Sequence, residues 1–144
     1  MAEKLKYYTV ILDGIDKSGK DTIAKYIWRF DKRLNVFVRG WPSLVVYAKK
    51  FSRDCIYELP YNKALYVHCL VKKDDWKIRC EIENEDISKI FYEEDSRMFK
   101  DAFIKLQQNG YKVLSVNTSS MTPYSIAKII VDTIKKLNEE NEDE

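Results

Sequence analysis

The 144-residue chain lacks several features that mark whole classes of protein. No apolar run approaches the roughly 20 residues that cross a bilayer, and the N-terminal MAEKLKYY holds no signal-peptide core. The three cysteines, Cys55, Cys69 and Cys80, are odd in number and show no CxxC spacing. They indicate buried thiols rather than a disulfide framework or a zinc site. We therefore expect a cytoplasmic protein without a membrane partner.

The overall composition of the chain is typical of one globular domain. A hydrophobic fraction of 45% and a charged fraction of 33% fit a chain that buries a single core. The net charge of +2 conceals five carboxylates in the last seven residues. We expect a domain over residues 1–137 and a frayed acidic tail over 138–144. Residues 17–53 carry ten basic and two acidic side chains, which favours nucleic acid as a partner unless these charges are scattered and solvated.

Apolar runs alternate with segments of helical spacing along the chain. Strands are predicted over residues 7–12, 35–39, 64–71 and 111–116, and helices over 21–30, 74–83, 86–108 and 123–137. Residues 43–57 are ambiguous, because Ser43 can cap a helix whereas the run LVVY at 44–47 also suits a strand; we favour the helix. His68, inside the third strand, is expected to be a hydrogen-bonded core residue rather than a catalyst. The alternation predicts an α/β three-layer sandwich, with a mostly parallel sheet of four or five strands and helices on both faces.

The stretch DGIDKSGKDT holds the spacing Gly14-x-x-x-x-Gly19-Lys20 between the first predicted strand and the first predicted helix. Glycines at these positions let backbone N–H groups converge on phosphate oxygens, and the helix N-terminus and Lys20 add positive charge. Such loops usually place Ser or Thr after the lysine to hold magnesium. Here Asp21 takes that place, followed by Thr22, and both offer oxygen ligands to Mg²⁺. The motif predicts binding of ATP with Mg²⁺.

The letters GIDKSGKDT resemble the phosphate loop of thymidylate kinases, G-[ILV]-[DE]-x-[AS]-G-K-[ST]-T, and SGKDT also resembles loops of some phage deoxynucleoside monophosphate kinases. Arg39 with Pro42 resembles an RxP element of that family. The order of elements from ALYVHCLV to YKVLSVNTSS is similar to the last two strands and the lid of the family. The resemblance implies a P-loop NTPase-like fold and the transfer of the γ-phosphate of ATP to a nucleotide.

The resemblance also implies roles for individual residues. Asp16 would face the acceptor nucleotide, Lys17 the phosphoryl group in transfer, and Arg39 the acceptor phosphate. The phosphate cradle would consist of Gly14, Ser18, Gly19 and Lys20, and the adenine end of Asn117, Thr118 and Ser119. Arg79, or more weakly Arg97, would be the lid arginine, which agrees with the clustered positive charge that phosphoryl transfer requires. The alternative for these two arginines is a surface ion pair with Glu83 or Glu93.

One departure from the family concerns length. The chain is shorter, and the missing part falls between Arg39 and Ala64, where the family has acceptor-binding helices and a strand that ends in Asp-Arg. Asp74 or Asp75 would then have to supply the carboxylate that follows a strand. Two functions stay open: a compact nucleoside monophosphate kinase, or a catalytically weak or inactive kinase-derived protein that binds nucleotide, nucleic acid or a partner protein. A homodimer also stays open.

Overall fold

The predicted alternation of strands and helices is confirmed in a computed structural model of the chain, which describes residues 6–52, 58–84 and 91–142. In chain order the elements are β1 (Thr9–Asp13), α1 (Lys20–Phe30), β2 (Asn35–Val38), α2 (Trp41–Lys50), β3 (Ala64–Leu70), α3 (Lys73–Ile82), α4 (Tyr92–Gln108), β4 (Lys112–Asn117) and α5 (Pro123–Glu142). The strands form one sheet in the order β2-β1-β3-β4, and every neighbouring pair is parallel.

Helices cover both faces of the sheet, so the fold is the predicted three-layer α/β sandwich. On one face α1 and α5 pack over Leu12 and Val67, and on the other face α2, α3 and α4 pack around Tyr66. The two central strands are apolar on both faces because both faces are covered. The chain moves from β1 to β2 on one side and later to β3 on the other. This reversal opens a crevice at the carboxyl ends of the strands, where parallel sheets commonly bind ligands.

The ambiguous segment is a helix, as favoured, but its start differs from the prediction. Helix α2 begins at Trp41, because Pro42 is compatible with the first turn of a helix. Ser43 does not cap it, since its hydroxyl donates a hydrogen bond to Asp13 Oδ1 at 2.5 Å. Helix α2 ends at Lys50, so residues 51 and 52 form a turn instead of the predicted helix, and residues 53–57 lie outside the described residues. So do residues 86–90 of the predicted helix over 86–108, and Cys55.

The acidic tail differs from the prediction in its first five residues. Helix α5 continues to Glu142 rather than ending at 137. Asn138 fixes this extension, because its side chain accepts a hydrogen bond from Tyr7 N at 2.8 Å and donates one to Tyr7 O at 2.8 Å. A buried backbone segment with both polar groups paired to one side chain holds the helix in place.

The predicted burial of His68 and of two cysteines is confirmed, whereas no hydrogen bond of the His68 side chain is found within the described residues. His68 is 6% exposed and its ring stacks on Phe103 at 4.3 Å between centroids. Cys69 and Cys80 are buried thiols. None of the helices in the described ranges is long and apolar enough to cross a membrane.

Candidate functional site

The loop between β1 and α1 turns sharply at two glycines. Gly14 has φ 146°, and a Cβ there would lie 2.5 Å from the carbonyl oxygen of Cys69. Gly19 has φ 89°, in the left-handed region, immediately before α1. Only glycine fits both requirements without strain. The sequence spacing of these glycines therefore corresponds to a loop that wraps the N-terminus of α1.

The loop offers hydrogen-bond donors that have no acceptor within the described parts of the chain. Among the described residues, no acceptor takes a hydrogen bond from the backbone N–H of Ser18 or Gly19. The buried Ser18 hydroxyl also has no partner there. Buried backbone N–H groups are almost always paired, and a loop of such groups at a helix N-terminus is an anion-binding arrangement.

Lys20 lies beneath this loop and is 4% exposed. Its Nζ donates a hydrogen bond to the carbonyl oxygen of Gly14 at 2.7 Å and lies 4.0 Å from Asp13 Oδ1. Burial lowers the pKa of Lys20, and the nearby Asp13 carboxylate opposes that effect. The ammonium has three donors, so two remain for an anion bound in the loop.

Asp13 is the site residue that the sequence analysis missed. Its carboxylate is fully buried and accepts four hydrogen bonds. Oδ1 accepts from Gly14 N at 2.9 Å and from the Ser43 hydroxyl, while Oδ2 accepts from Gly40 N at 3.0 Å and Ser43 N at 2.8 Å. Asp13 thus ties the loop between β1 and α1 to Gly40 in the next connector and to Ser43 in the first turn of α2. The sequence did contain a signal for this role, because Asp13 is a charged residue at the end of the otherwise apolar strand β1.

Arg79 on α3 reaches across the site rather than forming the surface ion pair with Glu83. Its Nη1 donates to the carbonyl oxygen of Lys17 at 2.9 Å, and Nη2 donates to the carbonyl oxygen of Thr118 at 3.2 Å. Glu83 instead pairs with the Lys17 ammonium. Arg79 in the last turn of α3 and Glu83 at its C-cap therefore hold the backbone and the side chain of Lys17, respectively.

The weaker candidate, Arg97, is exposed on α4 and does not line the pocket. The predicted partner of Arg97, Glu93, pairs with Lys73. Arg79 is therefore the one of the two candidate arginines that reaches the loop.

Arg39 stands at the end of β2 with its backbone in the left-handed region, at φ 78°. Its Nη2 lies 3.9 Å from Asp16 Oδ1, and Asp16 Oδ1 also accepts a hydrogen bond from Lys17 N at 3.2 Å. Lys17 has positive φ as well, at 62°. Two non-glycine residues with this backbone conformation flank one carboxylate, and such residues concentrate at functional sites.

The residues predicted for the adenine end separate in the structure. Thr118 N and Oγ1 both donate to the carbonyl oxygen of Leu70, at 2.8 and 2.9 Å, and Thr118 faces the loop. Asn117 accepts a hydrogen bond from Ser119 N at 2.9 Å and lines a different cavity of about 160 Å³. Thr118 therefore joins the site, whereas Asn117 does not.

These groups surround one pocket of about 400 Å³ at the carboxyl ends of the strands. Its lining includes Asp16, Lys17, Ser18, Gly19, Lys20, Asp21, Thr22, Arg39, Arg79, Glu83 and Thr118. Gly14 contributes through its carbonyl contact with Lys20. Asp74 and Asp75 do not line the pocket. The pocket gathers most of the predicted site residues from four separate elements.

The pocket's oxygen donors fit Mg²⁺ held together with a phosphate ligand. Asp21 and Thr22 are exposed on the first turn of α1 and face the pocket. No group of three or more His, Cys, Asp or Glu side chains that would hold a metal is found in the described parts of the chain. Mg²⁺ commonly binds one or two carboxylates and completes its shell with phosphate oxygens and water. Asp21 with Thr22 meets that requirement, whereas an all-protein cage is not formed here.

The basic side chains of residues 17–53 do not form one continuous positive surface, because several of them are buried or paired with carboxylates. Lys20 is buried, Arg33 pairs with Asp31, and Lys50 pairs with Asp95 across α2 and α4. Arg53 lies outside the described residues. The positive charge of this segment is therefore partly neutralised within the fold.

The sequence matches no protein-family model, and it matches no curated protein. What the pocket binds must therefore be inferred from its own atoms.

Proposed function

We propose that the protein is a compact nucleoside monophosphate kinase, which transfers the γ-phosphate of ATP to a nucleotide with the help of Mg²⁺. The observation that carries the proposal is the convergence of Lys20, Arg79 and Arg39 with the unused N–H groups of the loop on one pocket. Phosphoryl transfer depends on positioning and on positive charge around the transferred group rather than on a covalent nucleophile. In this pocket the side chains of Lys20, Arg79 and Arg39 supply positive charge, and the N–H groups of the loop can position the phosphates.

On the donor side, Lys20 and the N–H groups of Ser18 and Gly19 would bind the β- and γ-phosphates. Lys20 retains two donors for this purpose, and its position is fixed by the Gly14 carbonyl. Asp21 and Thr22 would hold the magnesium ion, which neutralises charge on the phosphates. Arg79 and Thr118 would lie beside the nucleotide, since both face the pocket.

On the acceptor side, Arg39 would bind the phosphate of the nucleotide and Asp16 would orient its sugar. The Arg39 side chain is 56% exposed, so its guanidinium remains accessible beside Asp16. Lys17 would face the phosphoryl group between the two nucleotides. Arg39 and Asp16 would thus bind the acceptor in the same pocket in which Lys17 and Lys20 would contact the phosphates of the donor.

A second function, nucleotide binding without efficient transfer, is favoured by the contacts of Lys17 and Arg79. The Lys17 ammonium already pairs with Glu83, and the Arg79 guanidinium already bonds to the carbonyl oxygens of Lys17 and Thr118. Two cations that would contact the transferred group therefore have partners within the protein. A kinase must exchange these contacts for contacts with phosphate, whereas a nucleotide-binding protein can keep them.

Phosphate transfer from ATP to a panel of ribo- and deoxynucleoside monophosphates tests the proposal. Lys20→Ala should lower kcat/KM by about 100-fold or more, because a preorganised charge on the phosphates is lost. Lys25→Ala is the matched control, since Lys25 is an exposed lysine on the same helix and does not line the pocket; it should leave the rate unchanged.

Three outcomes separate the two functions. Transfer that survives Lys20→Ala contradicts the kinase proposal. Binding of ATP without transfer to any acceptor in the panel supports the second function. If ATP neither binds in calorimetry nor raises the Tm, both functions are wrong, because a ligand of the folded state must stabilise it.

A further inference from the structure

The Asp13 carboxylate is saturated by donors from two different segments. One donor, Gly14 N, belongs to the loop between β1 and α1, and the other three belong to Gly40, in the connector that follows β2, and to Ser43, in the first turn of α2. Because the carboxylate is 0% exposed, these hydrogen bonds form away from water, where charge-assisted bonds are strong. Asp13 therefore fixes the distance between the loop and the connector.

The connector fixed by Asp13 begins with Arg39, a non-glycine residue whose backbone lies in the left-handed region. Arg39 N donates to the carbonyl oxygen of Leu12 at 2.8 Å, and the next N–H, that of Gly40, donates to Asp13 Oδ2. A Cβ on Gly40 would lie 2.7 Å from Ile11 Cγ2, so the connector is pressed closely against β1. The left-handed conformation of Arg39 is thus held from both sides, as unfavourable backbone conformations require.

We propose that Asp13 is a positioning residue of the phosphate pocket, which acts by holding Arg39 in the conformation that directs its guanidinium beside Asp16. The proposal rests on the proposed function, since it concerns phosphate binding in the same pocket. Asp13 does not contact the ligand itself, because all its strong hydrogen-bonding positions are occupied by Gly14, Gly40 and Ser43. Its contribution to binding passes through the connector.

Asp13 has a second neighbour through which it can influence binding, the Lys20 ammonium at 4.0 Å. The two routes are separable by substitution. Ser43→Ala removes one hydrogen bond between Asp13 and the first turn of α2, which continues the connector, but leaves the Asp13 charge beside Lys20. Asp13→Asn removes the charge and also the ability of one carboxylate atom to accept hydrogen bonds. Ser43→Ala therefore weakens the attachment of Asp13 to α2 and the connector without removing the Asp13 charge.

The experiment is a double-mutant cycle that measures the Kd of inorganic tripolyphosphate by calorimetry. Ser43→Ala should weaken binding about three- to tenfold, as expected for one lost hydrogen bond. In an Arg39→Ala background the same substitution should change Kd by less than about twofold, because the residue on which it acts is gone. Ser52→Ala, at a serine beyond the end of α2 that does not line the pocket, is the control and should leave Kd unchanged.

The outcomes distinguish this proposal from the proposed function. If the wild-type protein binds tripolyphosphate but Ser43→Ala has no effect, or has its full effect in the Arg39→Ala background, Asp13 does not act through Arg39. If the wild-type protein binds neither tripolyphosphate nor ATP, the proposed function and this inference both fail. Asp13→Asn adds a second arm when it folds, as judged by circular dichroism. It should weaken binding more than Ser43→Ala, and part of that loss should persist without Arg39, because Lys20 is also affected.

Discussion

Replacement of Arg39 by glycine should make the protein more stable than replacement by alanine. Arg39 has φ 78°, and a side chain in the left-handed region costs about 1–2 kcal/mol that glycine does not incur. Alanine keeps this strain because it keeps a Cβ. At an ordinary position the order is reversed, since glycine in a helix is about 1 kcal/mol less stable than alanine. We expect Arg39→Gly to exceed Arg39→Ala by about 1 kcal/mol in free energy of unfolding.

The lost side chain itself should change stability little. The Arg39–Asp16 pair is exposed and spans 3.9 Å, and such pairs contribute about 0–1 kcal/mol. Both variants lose the guanidinium, so this contribution cancels when they are compared. Both should also bind tripolyphosphate more weakly than the wild-type protein. Arg39→Gly then combines improved backbone stability with impaired binding, as expected where strain is kept for function.

Urea unfolding followed by tryptophan fluorescence measures the difference, with two control positions. Ser52 also has positive φ, at 50°, and does not line the pocket, so Ser52→Gly should exceed Ser52→Ala in stability without any change in binding. Lys25, inside α1, should show the opposite order. If Arg39→Ala is at least as stable as Arg39→Gly, the backbone strain is refuted. If Arg39→Gly binds tripolyphosphate as tightly as the wild-type protein, Arg39 is not part of the anion site.

Two further predictions concern stability alone. Burial lowers the pKa of His68 to about 4 from 6.5, so the unfolded chain binds more protons between these pH values and the stability that His68 confers should rise by about 3 kcal/mol from pH 4 to pH 7. His68→Phe should reduce this pH dependence of the free energy of unfolding, measured by urea titrations at several pH values. If the dependence is the same in the variant, His68 is not its cause. Asn138→Ala should lower the free energy of unfolding by about 1–3 kcal/mol, because both backbone groups of Tyr7 lose their partner. Glu139→Ala, at the exposed neighbouring position, should have little effect, and equal losses for both variants would show that the Tyr7 contacts are not responsible.

The strands were predictable because their signal is local. β1 and β3 lie at the centre of the sheet and are apolar on both faces, so their sequences form continuous apolar runs. Helix α2 was less certain, because the run LVVY suits a strand as well as a helix. Tertiary contacts, which cannot be seen from the sequence, favour the helix over the strand. In them Trp41 and Val46 pack into the core beneath α4. Ser43 was predicted to cap this helix, but its hydroxyl bonds instead to Asp13, a residue 30 positions earlier in the chain.

The loop was predictable for the same reason, since the spacing of Gly14, Gly19 and Lys20 is itself local. The partners of the loop were not. Arg79 bonds to Lys17 across 62 residues of sequence, and Ser43 bonds to Asp13 across 30. Glu83 and Lys17 are also paired only through the placement of α3. The helical spacing predicted ion pairs within one helix for Glu83 and Glu93. In the structure both carboxylates pair with lysines of other elements, Lys17 and Lys73.

A comparison of the three aspartates near the loop shows why Asp21 is compatible with a magnesium site. The oxygens of Asp13 are occupied by four protein donors, so this residue cannot also ligate a metal. Asp16 shares its Oδ1 between Lys17 N and the Arg39 guanidinium. Asp21 is exposed at the pocket, and no residue in the described ranges forms an ion pair with it. Three identical side chains within nine residues thus differ in what their oxygens already bind, and only Asp21 has both of its oxygens available to a cation.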